Sequence, residues 1–310
     1  MPKQFQRLCV LRTCSLFLLS ATNIAGVFGQ ASALSESSEA LYRGDYKKAT
    51  ELAKAHLRRF PNDASVRVVL ARVEFARAEF PQAFEDLQKA VVSDPKNVDA
   101  LYYLSLTARE LSQRESQRLF SLSPDSSFVH RLLGEAALTA DNQSQAEQEF
   151  QKALKANPQS VEVLTELADL KRSQAKFEEA ITYYTKAEQF DPLSYDAAYG
   201  LGICYAYTQQ YPLAIERLQK AVTLAPNSSE GRFALGKALF QNGQFEAAIQ
   251  ELKAAVRVDP RMKQAYVLLG RSYSKLGRPE EAKAAFRKFD ELDRAESQGA
   301  ERRLDSAPLP

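Results

Sequence analysis

Tryptophan is absent from the 310 residues, and cysteine, histidine and methionine number three, two and two. Each shortage excludes something. Cys9 and Cys14 lie in the N-terminal segment, which leaves Cys204 with no partner for an intrachain disulfide framework. His56 and His130 are too few for a histidine-rich metal site. Glycine (12) and proline (13) are sparse. A β-rich chain would need more turn residues, so helices are favoured. Long apolar runs are also missing. The stretch 14–28 is broken by Asn23 and falls short of the roughly 20 apolar residues a spanning helix needs. Finally, no sign of charge dominates. The formal charge is +2, but Lys3, Arg7 and Arg12 precede any acid, and beyond residue 33 the chain carries 38 basic and 39 acidic residues. A nucleic-acid footprint needs a basic excess that is not there. What remains, 45% hydrophobic and 26% charged, is a folded and soluble composition.

The first 33 residues have an organisation of their own. A basic start, a short apolar run and then small residues form the secretory signal pattern. Cleavage fits after Gly29 (Val27-Phe28-Gly29), loosely, or after Ala33 (Ala31-Ser32-Ala33). The alternatives are an uncleaved signal anchor or a start with no targeting function. Lipidation does not fit, because both early cysteines come before or at the start of the apolar run. The expectation is an exported chain, periplasmic or secreted, in which a lone buried thiol has no wrong partner to meet.

Beyond residue 60 the prolines set a rhythm. Pro61, Pro95, Pro124, Pro158, Pro192, Pro226 and Pro260 are separated by 34, 29, 34, 34, 34 and 34 residues. Such self-similarity marks a solenoid. Twelve residues before every one of these prolines but Pro124, and before the next slot at Arg294, stands an alanine: Ala49, Ala83, Ala146, Ala180, Ala214, Ala248 and Ala282. Seven residues later alanine recurs at Ala90, Ala153, Ala187, Ala221 and Ala255, with a large residue between: Leu87, Phe150, Tyr184, Leu218, Leu252, Phe286. Earlier in each period comes Leu-Ala or Leu-Gly, as in Leu70-Ala71 and Leu201-Gly202. The spacings i, i+4 and i+7 share one helical face, so each period holds two amphipathic helices in close contact. Proline ends the second helix. Asn62, Asn97, Ser126, Ser160 and Asn227 are placed to cap the next. Turn sequences such as QNGQF (241–245) separate the two helices, and Pro81, Pro212 and Pro279 begin second helices.

This pattern resembles the tetratricopeptide repeat, a 34-residue helix-turn-helix with Leu-Gly, Tyr, Ala-x3-Phe and Pro in register. Residues 263–296 carry Leu269, Gly270, Tyr273, Ala282 and Phe286; residues 195–228 carry Leu201, Gly202, Tyr205, Ala214 and Pro226. The family's early tryptophan is missing throughout. The resemblance implies an all-α fold, a right-handed α-solenoid of seven to eight stacked units over 34–296. The units are 34–63, 64–97, 98–126, 127–160, 161–194, 195–228, 229–262 and 263–296. Unit 98–126 is five residues short, and its second helix is expected to be stunted. The first unit reads as a polar capping repeat, and the polar tail 297–310 as frayed or disordered.

Candidates for chemistry are few. Glu178-Glu179 and Glu280-Glu281 open second helices, where carboxylates complement the helix dipole. His56 and Cys204 read as packing residues, and His130 as packed or exposed near a helix start, with ligand contact the alternative. No cofactor, metal or catalytic constellation is expected, so the chain reads as non-enzymatic. In the repeat family, first helices line a groove that holds partner segments. The fifth and ninth positions of each unit would face it, and there the polar and aromatic residues are Tyr102, Arg131, Glu135, Thr165, Asp169, Tyr199, Phe233, Lys237 and Arg271. The resemblance therefore implies protein or peptide partners, not nucleic acid. Two functions fit: a binding scaffold of the cell envelope, or an accessory subunit of an envelope secretion, pilus or polysaccharide assembly machine.

Overall fold

The computed structural model describes residues 33–305. The signal segment, with both cleavage sites except for Ala33 itself, lies outside the described residues, as do residues 306–310. All regular structure among the described residues is helical. The chain divides into two compact units, one ending at Leu122 and one beginning at Ser123.

The first unit holds α1 (33–42), α2 (Tyr46–Leu57), α3 (Ala64–Ala76), α4 (Phe80–Ser93) and α5 (Val98–Leu122). Its core gathers Ala71, Ala83, Leu87 and Ala90 from the α3–α4 pair, with Ala100 of α5. The second unit holds five pairs: α6 (Ser127–Thr139) with α7 (Gln143–Ala156), α8 (Val161–Ser173) with α9 (Phe177–Phe190), α10 (Tyr195–Tyr207) with α11 (Tyr211–Leu224), α12 (Ser229–Gln241) with α13 (Phe245–Val258), and α14 (Lys263–Lys275) with α15 (Pro279–Asp305). The registered alanines and large residues are the core: Ala146, Phe150 and Ala153, like Ala214, Leu218 and Ala221, have no exposed surface. Each fully buried large side chain contributes about 1.5–3 kcal/mol relative to exposure. Helix pairs close on one another because the first helix is trimmed where the second is bulky: Gly134 lies against Phe150, Gly202 against Leu218 and Gly236 against Leu252.

The turn inside each pair repeats to the residue. Gly44, Ala78, Asp141, Ala175, Gln209, Gly243 and Gly277 all have positive φ, between 56° and 79°. Each ends a first helix in a Schellman turn. At Ala78, for instance, its own N–H donates to Phe75 O and the next N–H, of Glu79, donates to Glu74 O. The turn between pairs also repeats, except before α14, where Met262 stands in the cap position without a side-chain bond. The N-cap stands two residues after the proline: Asp63, Asn97, Ser126, Ser160, Ser194 and Ser228 each accept a backbone N–H three residues on. Asn62 and Asn227, expected as caps, stand one residue too early, and Asp63 and Ser228 take the role.

Two further expectations are corrected. The short repeat 98–126 has no stunted second helix. It is one continuous 25-residue helix, α5. With five residues deleted no Schellman turn forms, and an arginine-, glutamine- and glutamate-rich stretch with no glycine or proline carries the helix straight through. The tail is not frayed from Ser297, because α15 runs on to Asp305. Only Gly299 weakens this segment, and the next proline is Pro308.

Candidate partner-binding face

First helices of successive repeats touch: α8 meets α10, α10 meets α12 and α12 meets α14. These four helices carry six of the nine expected groove residues, and Arg131 and Glu135 stand on α6, which the Arg131–Glu166 bond ties to α8. The ninth, Tyr102, belongs to the first unit, where it is 56% exposed and packs edge-on against Tyr103. Of that doubled pair Tyr103 is the one that packs on the core. Likewise Tyr184 is buried and Tyr183 only partly so.

At the α6–α8 end the expected residues are consumed by internal pairing. Arg131 Nε donates to Glu166 Oε1 at 2.8 Å, and Glu135 pairs with the same guanidinium at 3.1 Å. The bond it donates to Glu166 holds the Arg131 pKa above its usual range, while burial pushes Glu166 up. Thr165 donates its hydroxyl to Val161 O in its own helix.

The middle of the face is a tyrosine-lined pocket of about 410 Å³ between α8, α10 and α12. Asp169 Oδ1 accepts from the Tyr184 hydroxyl and from the Arg172 guanidinium, both at 2.6 Å. Burial foremost, and then the Asp169 bond, raises the Tyr184 phenol. Tyr199 stacks on Tyr195, ring centres 5.6 Å apart and nearly parallel, and the Tyr195 hydroxyl bonds Ser228 Oγ at 2.8 Å. Gly200 is required here: a methyl group at this position would overlap the Tyr184 ring. Arg172, Tyr195 and Glu230 were not among the expected groove residues. They stand at the twelfth, first and second register positions, and a search over the fifth and ninth passes them by.

The α12–α14 end brings three expected residues together. Phe233, Lys237 and Arg271 line a cavity of about 280 Å³, floored by Val267, Leu268 and Phe289. Lys237 sits 5.8 Å from the Tyr207 ring centre, but neither it nor Arg271 has a carboxylate partner among the described residues. Lys263 at the rim does, pairing with Asp293 and Glu296.

The remaining candidates are structural. His56 Nε2 meets Asp63 Oδ2 at 2.9 Å, tying α2 to the N-cap of α3, and His130 Nδ1 meets Glu149 Oε2 at 2.7 Å. Cys204 is fully buried, and burial pushes its thiol up to about 12. Glu179 serves Lys171, and Glu281 serves Arg278. No group of ligating side chains among the described residues is arranged to hold a metal ion, and none of their helices is long and apolar enough to cross a membrane.

A tetratricopeptide-repeat family model matches residues 34–98 and 165–229, and one described as anaphase-promoting complex, cyclosome, subunit 3 matches 208–289. The type IV pilus assembly protein PilF of Pseudomonas aeruginosa is 32% identical over 142 residues, which cover 42% of this chain and 56% of that protein. The match thus spans little more than half of that relative's length. Among solved structures, MamA is 26% identical with a TM-score of 0.52, covering 54% of this chain and 97% of its own. YrrB, described as a TPR protein with an unusual peptide-binding site, shares the fold at 21% identity and a TM-score of 0.52, covering 57% and 91%.

Proposed function

The chain is a tetratricopeptide-repeat protein, and from that premise we propose that it is a non-enzymatic scaffold of the cell envelope that holds segments of partner proteins on the first-helix face of its second unit. The observation that carries this reading is the cavity at α12–α14. Two cations without carboxylate partners flank an apolar floor that includes an aromatic ring. That composition suits a binding surface, where aromatic and arginine anchors dominate affinity. Catalysis finds little support on the same face. Most of its perturbed groups are engaged: Glu166 with Arg131, Tyr184 and Arg172 with Asp169, and Tyr195 with Ser228, while Tyr199, raised by burial, stacks on Tyr195. The envelope location is supported by the signal pattern of residues 1–33.

A photocrosslinking residue in place of Arg271, in the native host, tests the binding reading. It is expected to yield a defined adduct in the envelope fraction, whereas the same probe at the exposed Lys283, which does not line the cavity, is expected to yield none. Equal labelling at both positions would sink the reading. The intact mass of the recovered protein tests the location: a product starting near Gln30 or Leu34 in the envelope fraction supports export, and a full-length product in the cytoplasm overturns it.

A second reading is favoured by the likeness to PilF, a type IV pilus assembly protein. In it the chain is an accessory subunit of an envelope assembly machine with one obligate partner. The crosslinked adduct separates the two readings. A single pilus-assembly component would support the second, and several unrelated proteins the first.

A further inference from the structure

Two pockets of the second unit differ in charge, and the difference has a direction. In the tyrosine-lined pocket Arg172 is occupied by Asp169 and Tyr184. Asp196 and Glu230 remain, both exposed and with no ion-pair partner among the described residues. They flank the stacked rings of Tyr195 and Tyr199. A guanidinium or ammonium group suits such a place twice over, since it lies flat on tyrosine faces and is drawn by the carboxylates. In the neighbouring cavity the balance is reversed. The Lys263 ammonium is neutralised by Asp293 and Glu296. Lys237 and Arg271 remain beside Phe233 and Phe289. A carboxylate suits that place, and an adjacent apolar side chain would fill the floor.

The helix α12 joins the two. Glu230 borders one pocket and Lys237 the other. Seven residues are nearly two full turns, so both project from one face, separated by about 10 Å along the axis. An extended chain covers that distance in about three residues.

We propose that this face reads an extended partner segment of fixed charge order: a basic side chain in the tyrosine-lined pocket and, about three residues away, an acidic side chain beside a large apolar one in the α12–α14 cavity. The inference rests on the scaffold reading and adds the chemistry and polarity of the occupant. Electrostatic complementarity of this kind fixes register and rejects wrong partners.

The test is a random octapeptide display library panned on the purified chain. Enrichment of peptides with a basic and an acidic residue about three positions apart, and a large apolar residue next to the acidic one, is the expected result. A synthetic peptide of the enriched pattern is expected to lose about tenfold or more in affinity for K237E/R271E and a similar factor for D196K/E230K. A peptide with its acidic residue changed to lysine is expected to recover binding to K237E/R271E alone. Circular dichroism of both variants verifies that the repeats remain folded, as these side chains are surface-exposed. No enrichment, enrichment without the charge order, or binding to either variant as tight as to the unaltered chain overturns the proposal. If crosslinking at Arg271 still captures a partner in the host, the scaffold reading stands and only the charge order fails.

Discussion

The repeat 98–126 and the repeat 195–228 are built from the same plan and end as different objects. In the full-length repeat, Gln209 takes a positive φ, α10 stops, and α11 folds back to bury Ala214, Leu218 and Ala221 completely. In the short one no residue takes a positive φ, and the helix continues from Val98 to Leu122. Only Ala100 and Thr107 of that helix are buried, both in its first half. The contrast teaches what a second helix needs. Helicity is not enough, since both sequences are helical. A left-handed turn residue must stop the first helix, and a stripe of small and large apolar residues must reward the return. The short repeat has Ser112 where its siblings have the first packing alanine, and it has lost the turn.

The largest effect that would test this lies in the stripe. Phe150→Ala in α7 is expected to cost about 3–5 kcal/mol, because the ring is fully buried. Leu122→Ala, at the 70%-exposed end of α5, is expected to stay within about 0.5 kcal/mol. Urea denaturation of both variants measures the difference, and a comparable loss for Leu122→Ala would mean that α5 buries what its full-length siblings bury. Next in size is a proline scan. Ser112→Pro places the ring in the interior of α5 and is expected to cost about 3 kcal/mol or more. Glu178→Pro, at the second position of α9, occupies the slot where α4 and α11 carry Pro81 and Pro212, and is expected to be nearly neutral. If Ser112→Pro were also neutral, a turn would stand where the continuous helix is described.

These particulars also show what could be read before any coordinates. Helix pairing followed from the alanine, large residue and alanine register, and the packing of Gly134 on Phe150 or Gly202 on Leu218 is that register realised. The caps were displaced by one residue at Asn62 and Asn227, because both Asn and its neighbour are good caps and only the turn geometry chooses. The fate of the short repeat was hidden because a deletion states a length and not a conformation. Four of the seven left-handed turn positions were hidden for a different reason. Ala78, Asp141, Ala175 and Gln209 carry no glycine signal, and only the 34-residue register through Gly44, Gly243 and Gly277 reveals them. On the proposed binding face, the fifth and ninth positions led to Phe233, Lys237 and Arg271 but also to Arg131 and Glu135, the former paired with Glu166 of the next first helix.

A second contrast occupies one register slot. Lys171 in α8 is almost fully buried yet doubly paired, 2.7 Å from Glu147 and 3.0 Å from Glu179. The equivalent residue in α3, Glu74, is buried with Oε2 unbonded. Burial first, then the charge of Asp86, raises its pKa to about 7. A raised carboxyl pKa means that the folded chain binds more protons than the unfolded chain between about pH 4.5 and 7. Stability is therefore lost as pH rises through that window, and the penalty is complete above pH 7. Glu74→Gln removes the titration. It is expected to stabilise by about 1–2 kcal/mol at pH 8 and to be nearly neutral at pH 5. Tm measured at both pH values checks the sign. A gain at pH 5 that vanishes at pH 8 would require the Glu74 carboxylate to be stabilised by the fold, as a paired ion is.

The smallest effect returns to the turns. Ala175 holds φ of 59° between α8 and α9, a conformation that costs an L-residue with a Cβ about 1 kcal/mol or slightly more. Glycine adopts it freely, although it also gives the unfolded chain more freedom. The net gain expected for Ala175→Gly is therefore about 0.5–1 kcal/mol. A change to glycine in the short repeat, Ser112→Gly, meets a right-handed helix interior and is expected to destabilise by a few tenths of a kcal/mol up to about 0.5. Opposite signs for one kind of substitution, measured as shifts in the urea midpoint at constant slope, would separate a position that must turn from one that has lost the ability to. Equal signs would mean that the left-handed residue is incidental, and that the stripe of α9 alone folds the second helix back.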